Sequence, residues 1–222
     1  YKRQIFNSML LKEYFENNHY HFAHSFAFDP VLNDGLRNAL EKIPEQVRKK
    51  KQILVYGRPG TERNAFNLVV AALKKWVFMQ PDIEEWEILS AGEMHRTVAL
   101  GNGKELTSVG KLSIEEYANM LEESYAGISL MCSPHPSYPP LEMSVFDVKT
   151  ITNTYANKDL KEFNENIISL DNISPMNIAK HLVEICKSYQ TEVRHIAANP
   201  LYVKNDHVFD FVEDIKKILD EE

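Results

Sequence analysis

KQILVYGRPGTERN, at residues Lys51–Asn64, is the stretch that decides the fold. A short apolar run, Ile53–Tyr56, is followed by Gly57 and by a turn with a second glycine. Apolar residues then continue at helical spacing over Glu62–Phe78, so the pattern predicts a strand, a tight turn and a helix. A helix that starts after such a turn directs its first N–H groups and the positive end of its dipole outward, and anions bind there.

Two arginines, Arg58 and Arg63, flank this turn. Each side chain can bind phosphate through a planar fork of donors. We therefore interpret the stretch as a phosphate-binding corner of a parallel α/β sheet. The alternative is an ordinary strand-to-helix turn with solvated arginines, because short motifs also match by chance.

Short apolar runs alternate with helix-period segments from Gln52 onward. The runs are Ile53–Tyr56, Trp86–Ala91, Leu106–Val109, Gly127–Met131, Val148–Thr152 and Ile167–Leu170. The helical segments are Ala65–Phe78, Ile114–Glu123, Leu141–Phe146, Lys158–Phe163 and Met176–Tyr189. This alternation predicts a Rossmann-like, doubly wound parallel sheet with helices on both faces. Such sheets bind ligands beyond the carboxyl ends of their strands, so we expect function in the loops that follow the strands.

Further segments flank the predicted sheet. Gln4–Glu16 and Val31–Ile43 have the spacing of amphipathic helices, and the aromatic stretch Tyr20–Phe28 is expected to be extended. Pro44–Lys51 is charged and polar, which suits a domain boundary. A last amphipathic helix is predicted over Val208–Leu219. The α/β sheet is thus expected to carry helical appendages at both ends.

The composition is that of a globular protein, with 44% hydrophobic and 26% charged residues among 222. A formal net charge of −7 argues against a general nucleic-acid-binding protein. No apolar run is long enough for a membrane span and no secretory signal is evident, so we expect a cytoplasmic protein. Cys132 and Cys186 lack metal-ligand spacing and are expected to be reduced thiols. Because the chain begins at Tyr1 without methionine, we expect a piece of a longer protein.

The loop SPHPSYPPLE, at Ser133–Glu142, contains four prolines. Proline restricts the backbone, so the loop is expected to hold His135, Ser137 and Tyr138 at a small entropy cost. Pro140 is expected at the first position of the next helix, which would place Glu142 in its first turn. A carboxylate there is stabilised by the helix dipole and can accept hydrogen bonds from vicinal hydroxyls, as ribose offers. A favourable first-turn acid without a ligand is the alternative.

Several strings together resemble the C-terminal domain of a GT-B glycosyltransferase. They are GRPGTERN, the SAGE turn after Trp86–Leu89, VGKLSIEEYANML and GISLMCSPHPSYPPLEM. The chain is most similar to rhamnosyltransferases of the rhamnan-synthesis type, in the retaining family 4-like group, from about Ile53 to Lys187. The resemblance implies three units. Residues 1–50 would be the end of an N-terminal domain and the interdomain linker, 51–190 the nucleotide-sugar-binding domain, and 191–222 a connector with a packing helix.

The resemblance also implies a nucleotide-sugar site. Arg58 and Arg63 match the basic pair that holds the diphosphate, and Glu142 matches the second glutamate of a paired motif, the one that binds ribose hydroxyls. The turn with Lys111 and Leu112 matches the region that contacts the base. The first paired glutamate is replaced by Pro134, so either His135 or Ser137 is expected to bind the donor sugar, or the sugar is held differently. The predicted site residues are Gly57, Arg58, Arg63, Lys111, Leu112, His135, Ser137, Tyr138 and Glu142.

The implied activity is transfer of a sugar, such as rhamnose, from a nucleoside-diphosphate donor, with dTDP favoured. The acceptor would be a cell-surface or lipid-linked glycan, bound through an N-terminal domain, and the longer protein could contact a membrane peripherally. We expect retaining chemistry without a metal or other cofactor, no nucleic-acid partner, and no turnover by this fragment alone. No catalytic base is assigned.

Two other functions remain open. One is a binding module that keeps the nucleotide pocket but no longer catalyses, which the missing paired glutamate favours. The other is an unrelated Rossmann-like domain that binds a dinucleotide. The first strand lacks a following G-x-G-x-x-G turn, which argues against a dinucleotide.

Overall fold

A computed structural model describes residues 3–220, so the outermost residues of the two predicted terminal units lie outside it. Its strands are β1 (Arg3–Phe6), β2 (His24–Ala27), β3 (Gln46–Arg48), β4 (Lys50–Gly57), β5 (Glu87–Gly92), β6 (Val98–Gly101), β7 (Lys104–Gly110), β8 (Ser124–Ile128), β9 (Lys149–Asn153), β10 (Ile167–Leu170) and β11 (Glu192–Arg194). Its α-helices are α1 (Met9–Asn17), α2 (Asp34–Leu40), α3 (Phe66–Trp76), α4 (Ile114–Glu123), α5 (Tyr138–Val145), α6 (Pro175–Lys187), α7 (Pro200–Val203) and α8 (Phe211–Asp220).

Seven strands form one sheet in the order β10–β9–β8–β4–β5–β7–β6. Its pairs are parallel except for the antiparallel hairpin of β6 and β7. From β4 the chain winds through β5 and β7 on one side, then crosses to β8, β9 and β10 on the other. The order therefore reverses between β4 and β8, which is the ligand position in doubly wound sheets. The predicted fold class is confirmed.

The central strand β4 is buried on both faces. Ile53 and Val55 pack into one apolar cluster with α3 and α6, whereas Leu54 packs into a second cluster with α2, α4 and α5. Because a parallel sheet covered on both sides needs apolar residues on both faces, the continuous apolar run in β4 follows directly from this architecture.

The two terminal segments pack together outside the main sheet. Strands β1 and β2 form a parallel pair, and β3 pairs with β11 in the antiparallel direction. The ring of Phe211, at the start of α8, stacks on Phe26 and Phe28, with centroids 5.6 and 6.3 Å away. The last helix thus begins on the aromatic stretch near the N-terminus.

Some predicted element bounds are wrong. Gln4–Glu16 is not one helix, because residues 3–6 pair with β2 and α1 begins only after Ser8, whose side chain caps it. Pro44–Lys51, the predicted boundary, contains β3 and the start of β4. Lys158–Phe163 is not helical: Lys158 makes a backbone bridge to Tyr155 and turns its side chain inward.

Lys49 lies fully buried between β3 and β4, a position that the sequence analysis did not predict. Its ammonium group donates to the carbonyl oxygens of Leu121, at 3.0 Å, and Phe146, at 2.6 Å, near the ends of α4 and α5. Burial lowers the pKa of Lys49 to about 7, although the charges of Asp147 and Glu122 oppose the shift. The lysine therefore connects the two helices that support the predicted ribose and base region.

Candidate functional site

Two glycines face each other at the carboxyl ends of β4 and β5. Gly57 pairs with Gly92, and a Cβ on Gly57 would lie 1.8 Å from the hydroxyl oxygen of Ser90. Gly92 has φ +131°, and a Cβ there would lie 2.9 Å from the Gly57 carbonyl oxygen. These glycines let the loops that carry Arg58 and Glu93 approach each other closely.

The turn after Gly57 differs from the predicted one. Helix α3 begins at Phe66, not near Glu62, because Glu62–Asn64 forms a separate 3-10 turn and Ala65 is left-handed, with φ 49°. Backbone N–H groups that already donate within the protein are those of Gly60, Thr61, Asn64 and Ala65. The acceptor of the Gly60 amide is the Glu93 carboxylate, at 3.1 Å. The expectation of free amides is thus wrong at these four positions, and the arginine side chains become the main donors for an anion.

The loops that follow β4 and β8 are bonded to each other. The N–H of Cys132 donates to the carbonyl oxygen of Arg63 at 2.7 Å. Met131, in the second of these loops, makes two further hydrogen bonds. Its N–H donates to Oδ1 of Asn153 at 2.7 Å, and its carbonyl oxygen accepts from the ammonium group of the buried Lys158 at 2.6 Å. The loops that follow β4 and β8, at the reversal of strand order, are therefore connected to each other by hydrogen bonding.

The proline-rich loop leads into α5 earlier than predicted. Tyr138 is the first helical residue, so Pro140 is the third and Glu142 lies beyond the first turn. Ser137 precedes the helix at φ 70° and provides no side-chain cap. The predicted first-turn position of Glu142 is wrong, and stabilisation by the helix dipole is correspondingly smaller.

Two neighbouring cavities open at this edge of the sheet. The arginine cavity, of about 360 Å³, is lined by Asn7, Tyr56, Arg58, Arg63, Asn64, Met131, Ser133, His135, Ser137, Tyr138 and Pro139. The glutamate cavity, of about 540 Å³, is lined by Tyr56, Arg58, Ala91, Gly92, Glu93, Lys111, Leu112, Ile114, Tyr117, Tyr138, Pro139 and Glu142. Arg58 and Tyr138 line both, so the two cavities meet at these side chains.

Eight of the nine predicted residues line at least one of the two cavities. The exception is Gly57, which precedes the Arg58 turn and lines neither cavity. The sequence analysis missed Asn7, Tyr56, Glu93 and Tyr117. Glu93 lies at the cavity because β4 and β5 pair, and its N–H then donates to the carbonyl oxygen of Gly57 at 2.9 Å. That pairing cannot be read from the sequence of either strand alone. Tyr117 lies in α4 at a position where helical spacing predicts a side chain that packs against the core.

Glu142 is largely buried at one wall of the glutamate cavity. The hydroxyl of Tyr117 donates to its Oε2 at 3.1 Å. Burial raises the pKa of Glu142 to about 7, and the hydrogen bond from Tyr117 opposes this shift. The carboxylate is therefore sensitive to pH near neutrality.

His135 is fixed by its own loop. Its Nδ1 accepts the N–H of Ser137 at 2.9 Å, so the neutral ring carries its proton on Nε2. Burial lowers the pKa of His135, the backbone of Asn7 opposes the shift, and the charges of Lys158 and Arg63 add to the lowering. Nε2 is buried beside the backbone of Asn7. A neutral N–H donor thus lies in the wall of the arginine cavity.

The charges at this edge suit an anionic ligand with polar hydroxyls. Arg58 and Arg63 supply two guanidinium groups, and Lys111 lies in the neighbouring cavity. Within residues 3–220, no group of three or more His, Cys, Asp or Glu side chains is placed to hold a metal ion. No helix in the same range has the length and apolar character to cross a bilayer.

Comparisons with known proteins identify the family of the chain. The family described as "WsaF, C-terminal domain" matches residues 51–183. The O-antigen biosynthesis protein RfbC of Myxococcus xanthus is 35% identical over 127 residues, which are 57% of this chain and 10% of that protein. The chain therefore spans about a tenth of the length of that relative.

The fold is also found among solved structures. Anabaena Alr3699/HepE, solved in complex with UDP and glucose, superimposes with a TM-score of 0.64 at 11% identity, over 98% of this chain and 62% of that one. Sucrose-phosphate synthase from Thermosynechococcus elongatus gives a TM-score of 0.58 at 11% identity, over 99% and 59%. These neighbours are GT-B glycosyltransferases, so the chain has the fold of one half of a GT-B enzyme.

Proposed function

The chain belongs to the family of WsaF C-terminal domains, and from this premise we propose that it is the donor-binding half of a glycosyltransferase in polysaccharide or O-antigen biosynthesis. The observation that carries the proposal is the meeting of the arginine cavity and the glutamate cavity at Arg58, beside the reversal of strand order. A nucleoside-diphosphate sugar has its two phosphates between a nucleoside and a sugar, and it would fit across this junction.

The nucleoside would occupy the glutamate cavity, with the base beside Lys111 and Leu112 and a sugar hydroxyl on Glu142. The diphosphate would lie on Arg58 and Arg63. During transfer the bond between the anomeric carbon and the diphosphate oxygen breaks, the oxygen of an acceptor hydroxyl bonds to that carbon, and the proton of that hydroxyl passes to the departing diphosphate. Negative charge gathers on the leaving diphosphate, so guanidinium donors aimed at it lower the barrier. This chemistry uses the two arginines without a metal.

The transferred sugar would enter the arginine cavity beside His135 and Ser137. Pro134 stands where the resemblance places the sugar-binding glutamate, so another polar group must replace that contact. His135 is suited to this because it lines the arginine cavity and its neutral ring carries a donor on Nε2, beside the backbone of Asn7. We assign His135 a sugar-binding role and not proton transfer.

The finer features of the proposal are a dTDP-sugar donor, transfer of rhamnose, a retaining outcome and a glycan or lipid-linked glycan acceptor. They are supported by the resemblance to rhamnosyltransferases and by the O-antigen relative. Among the solved neighbours, HepE was captured with UDP and glucose, and a synthase from Burkholderia xenovorans is described as UDP-forming, so UDP is the competing nucleotide.

A second candidate function is a nucleotide-sugar-binding module without catalysis. The observation that favours it is Pro134 in place of the first paired glutamate. A sugar-transfer assay on a longer protein that includes an acceptor-binding domain separates the two functions. Transfer supports the enzyme, whereas tight donor binding without transfer to any glycan supports the module.

Calorimetric titration tests the proposal directly on the 222-residue chain. The ligands are dTDP, UDP, GDP and NAD, each with and without EDTA. We expect saturable binding of a nucleoside diphosphate, dTDP most tightly, with the same affinity in EDTA. Binding of NAD alone, or of none of these nucleotides, would overturn the proposed donor site.

A further inference from the structure

The proposed donor site gives no role to one hydrogen bond in the glutamate cavity. Tyr117, in α4, donates its hydroxyl proton to Oε2 of Glu142, in α5, at 3.1 Å. Both side chains line the same cavity as Lys111 and Leu112. Among the described residues, no other side chain or backbone group donates to Glu142 at hydrogen-bond distance. One carboxylate oxygen is therefore engaged before a ligand binds, and the other is free.

A glutamate that binds ribose uses both oxygens, because the 2′- and 3′-hydroxyls are adjacent and each donates one hydrogen bond. A 2′-deoxyribose has only the 3′-hydroxyl to donate. We propose that Tyr117 is a specificity-determining residue of the nucleotide site, since its bond to Oε2 leaves Glu142 matched to the single hydroxyl of a 2′-deoxyribonucleoside diphosphate. This inference rests on the proposed function, in which Glu142 faces the nucleoside sugar.

The surroundings of Glu142 strengthen the discrimination. Glu142 is largely buried, and burial raises its pKa. A 2′-hydroxyl brought against the Tyr117 side of the carboxylate would lose water and would have to share Oε2 with the tyrosine. A nucleotide whose hydroxyl is buried without a good hydrogen-bond partner binds on the order of tenfold more weakly. The 2′-deoxy sugar carries no group at that position and avoids the loss.

A second tyrosine provides a matched comparison. Tyr202 is also buried close to Glu142, whose charge contributes to the raised pKa of Tyr202. Its hydroxyl makes no hydrogen bond within the described chain. Tyr202→Phe removes a buried hydroxyl from the same neighbourhood without touching Oε2, whereas Tyr117→Phe frees Oε2 and keeps the ring that packs against the core.

The probes are dUDP and UDP, which differ only in the 2′-hydroxyl. Calorimetry on the whole chain should give on the order of tenfold tighter binding of dUDP in the native protein. In Tyr117→Phe the ratio should fall several-fold, mainly because UDP binds more tightly, and in Tyr202→Phe it should stay at the native value. Thermal melting confirms that both variants are folded.

Equal binding of dUDP and UDP by the native chain would overturn the proposal without any variant. Weaker binding of UDP to Tyr117→Phe would also overturn it, because the tyrosine would then be a partner of the 2′-hydroxyl. Both results leave the donor site standing. Failure of dUDP, UDP and dTDP all to bind would instead remove the proposed function, and this inference with it.

Discussion

The fold changes the acid–base chemistry of Glu142. In water a glutamate is ionised well below neutrality, but burial raises the pKa of Glu142 to about 7. A donor hydroxyl that bonds to the carboxylate stabilises its charged form and lowers its pKa in the complex. Binding therefore releases a proton when it occurs below about pH 7.

This linkage predicts that affinity for a dTDP-sugar rises as the pH increases from 6 to 8, by up to about tenfold in all, with most of the rise below pH 7. A nucleotide sugar serves better than dTDP here, because its diphosphate has no terminal phosphate that titrates near neutrality. Calorimetry across the pH range measures the effect, and Glu142→Gln should show a flat profile. An unchanged slope in Glu142→Gln would mean that another group is responsible.

His135 gives a second prediction at this scale. In His135→Asn the side-chain oxygen can still accept the Ser137 N–H, but the donor at the Nε2 position is lost. We expect about fivefold weaker binding of a dTDP-sugar, the value of one hydrogen bond, with no change for dTDP. If His135→Asn lost the same affinity for dTDP as for the dTDP-sugar, the loop would have moved, and the result would contradict a contact between His135 and the sugar.

The predicted side chains gather as expected because they follow strand ends, and parallel strands bring those ends to one edge. Arg58, Lys111 and His135 could therefore be found from sequence. Tyr117 and Asn7 could not, since Tyr117 lies within VGKLSIEEYANML at a helix position typical of a packing residue, and Asn7 lies in the short loop between β1 and α1. Their positions depend on helix rotation and tertiary packing, which no local pattern specifies.

The pairing of β4 with β5 depends on the absence of a side chain at Gly57. Gly57→Ala would push a methyl group into the hydroxyl of Ser90, and overpacking of this kind costs about 1–3 kcal/mol. We expect a lower melting temperature and weaker nucleotide binding, because the Arg58 turn starts at this point. The double variant Gly57→Ala with Ser90→Ala should recover part of the loss relative to Ser90→Ala alone, and strict additivity would contradict the steric account.

Element bounds were least predictable where distant segments meet. Helical spacing continues through Glu62–Asn64 and predicts too early a start for α3, whereas in the fold these residues form a separate 3-10 turn whose Arg63 carbonyl accepts the N–H of Cys132. Strand β6 was overlooked, although Asn102–Gly103 between two apolar runs is a hairpin signal. The first error needed tertiary information, and the second did not.

At the scale of the whole molecule, Lys49 links stability to pH. Its pKa is about 7 in the folded chain and near 10.5 when unfolded, so the unfolded chain binds more protons between these values. Its contribution to the free energy of unfolding therefore rises with pH from 7 to 10, by up to about 1.4 kcal/mol per unit.

Urea unfolding at pH 7, 8 and 9 measures this dependence. Lys49→Met should flatten the rise, whereas Lys75→Met, at an exposed position of α3, should keep it. An equal pH slope in Lys49→Met and the native chain would show that Lys49 titrates normally in the folded state.

The doubly wound sheet itself could be predicted, because its buried strands are short apolar runs that alternate with helices. The packing of the terminal segments could not, since the pairing of β3 with β11 joins residues far apart in sequence. Both β3 and β11 lie outside the predicted unit at residues 51–190, and that division of the chain stays a prediction.

The affinity for dTDP of Arg58→Ala, measured by calorimetry beside Arg194→Ala, tests the central claim most directly. Arg58 lies where the two cavities meet, and a charge-assisted bond to phosphate is worth about 1.5–3 kcal/mol, so Arg58→Ala should bind dTDP at least about tenfold more weakly. Arg194 is 84% exposed in β11, outside both cavities, and Arg194→Ala should bind dTDP like the native chain. Native affinity in Arg58→Ala would contradict a diphosphate site at the junction of the two cavities.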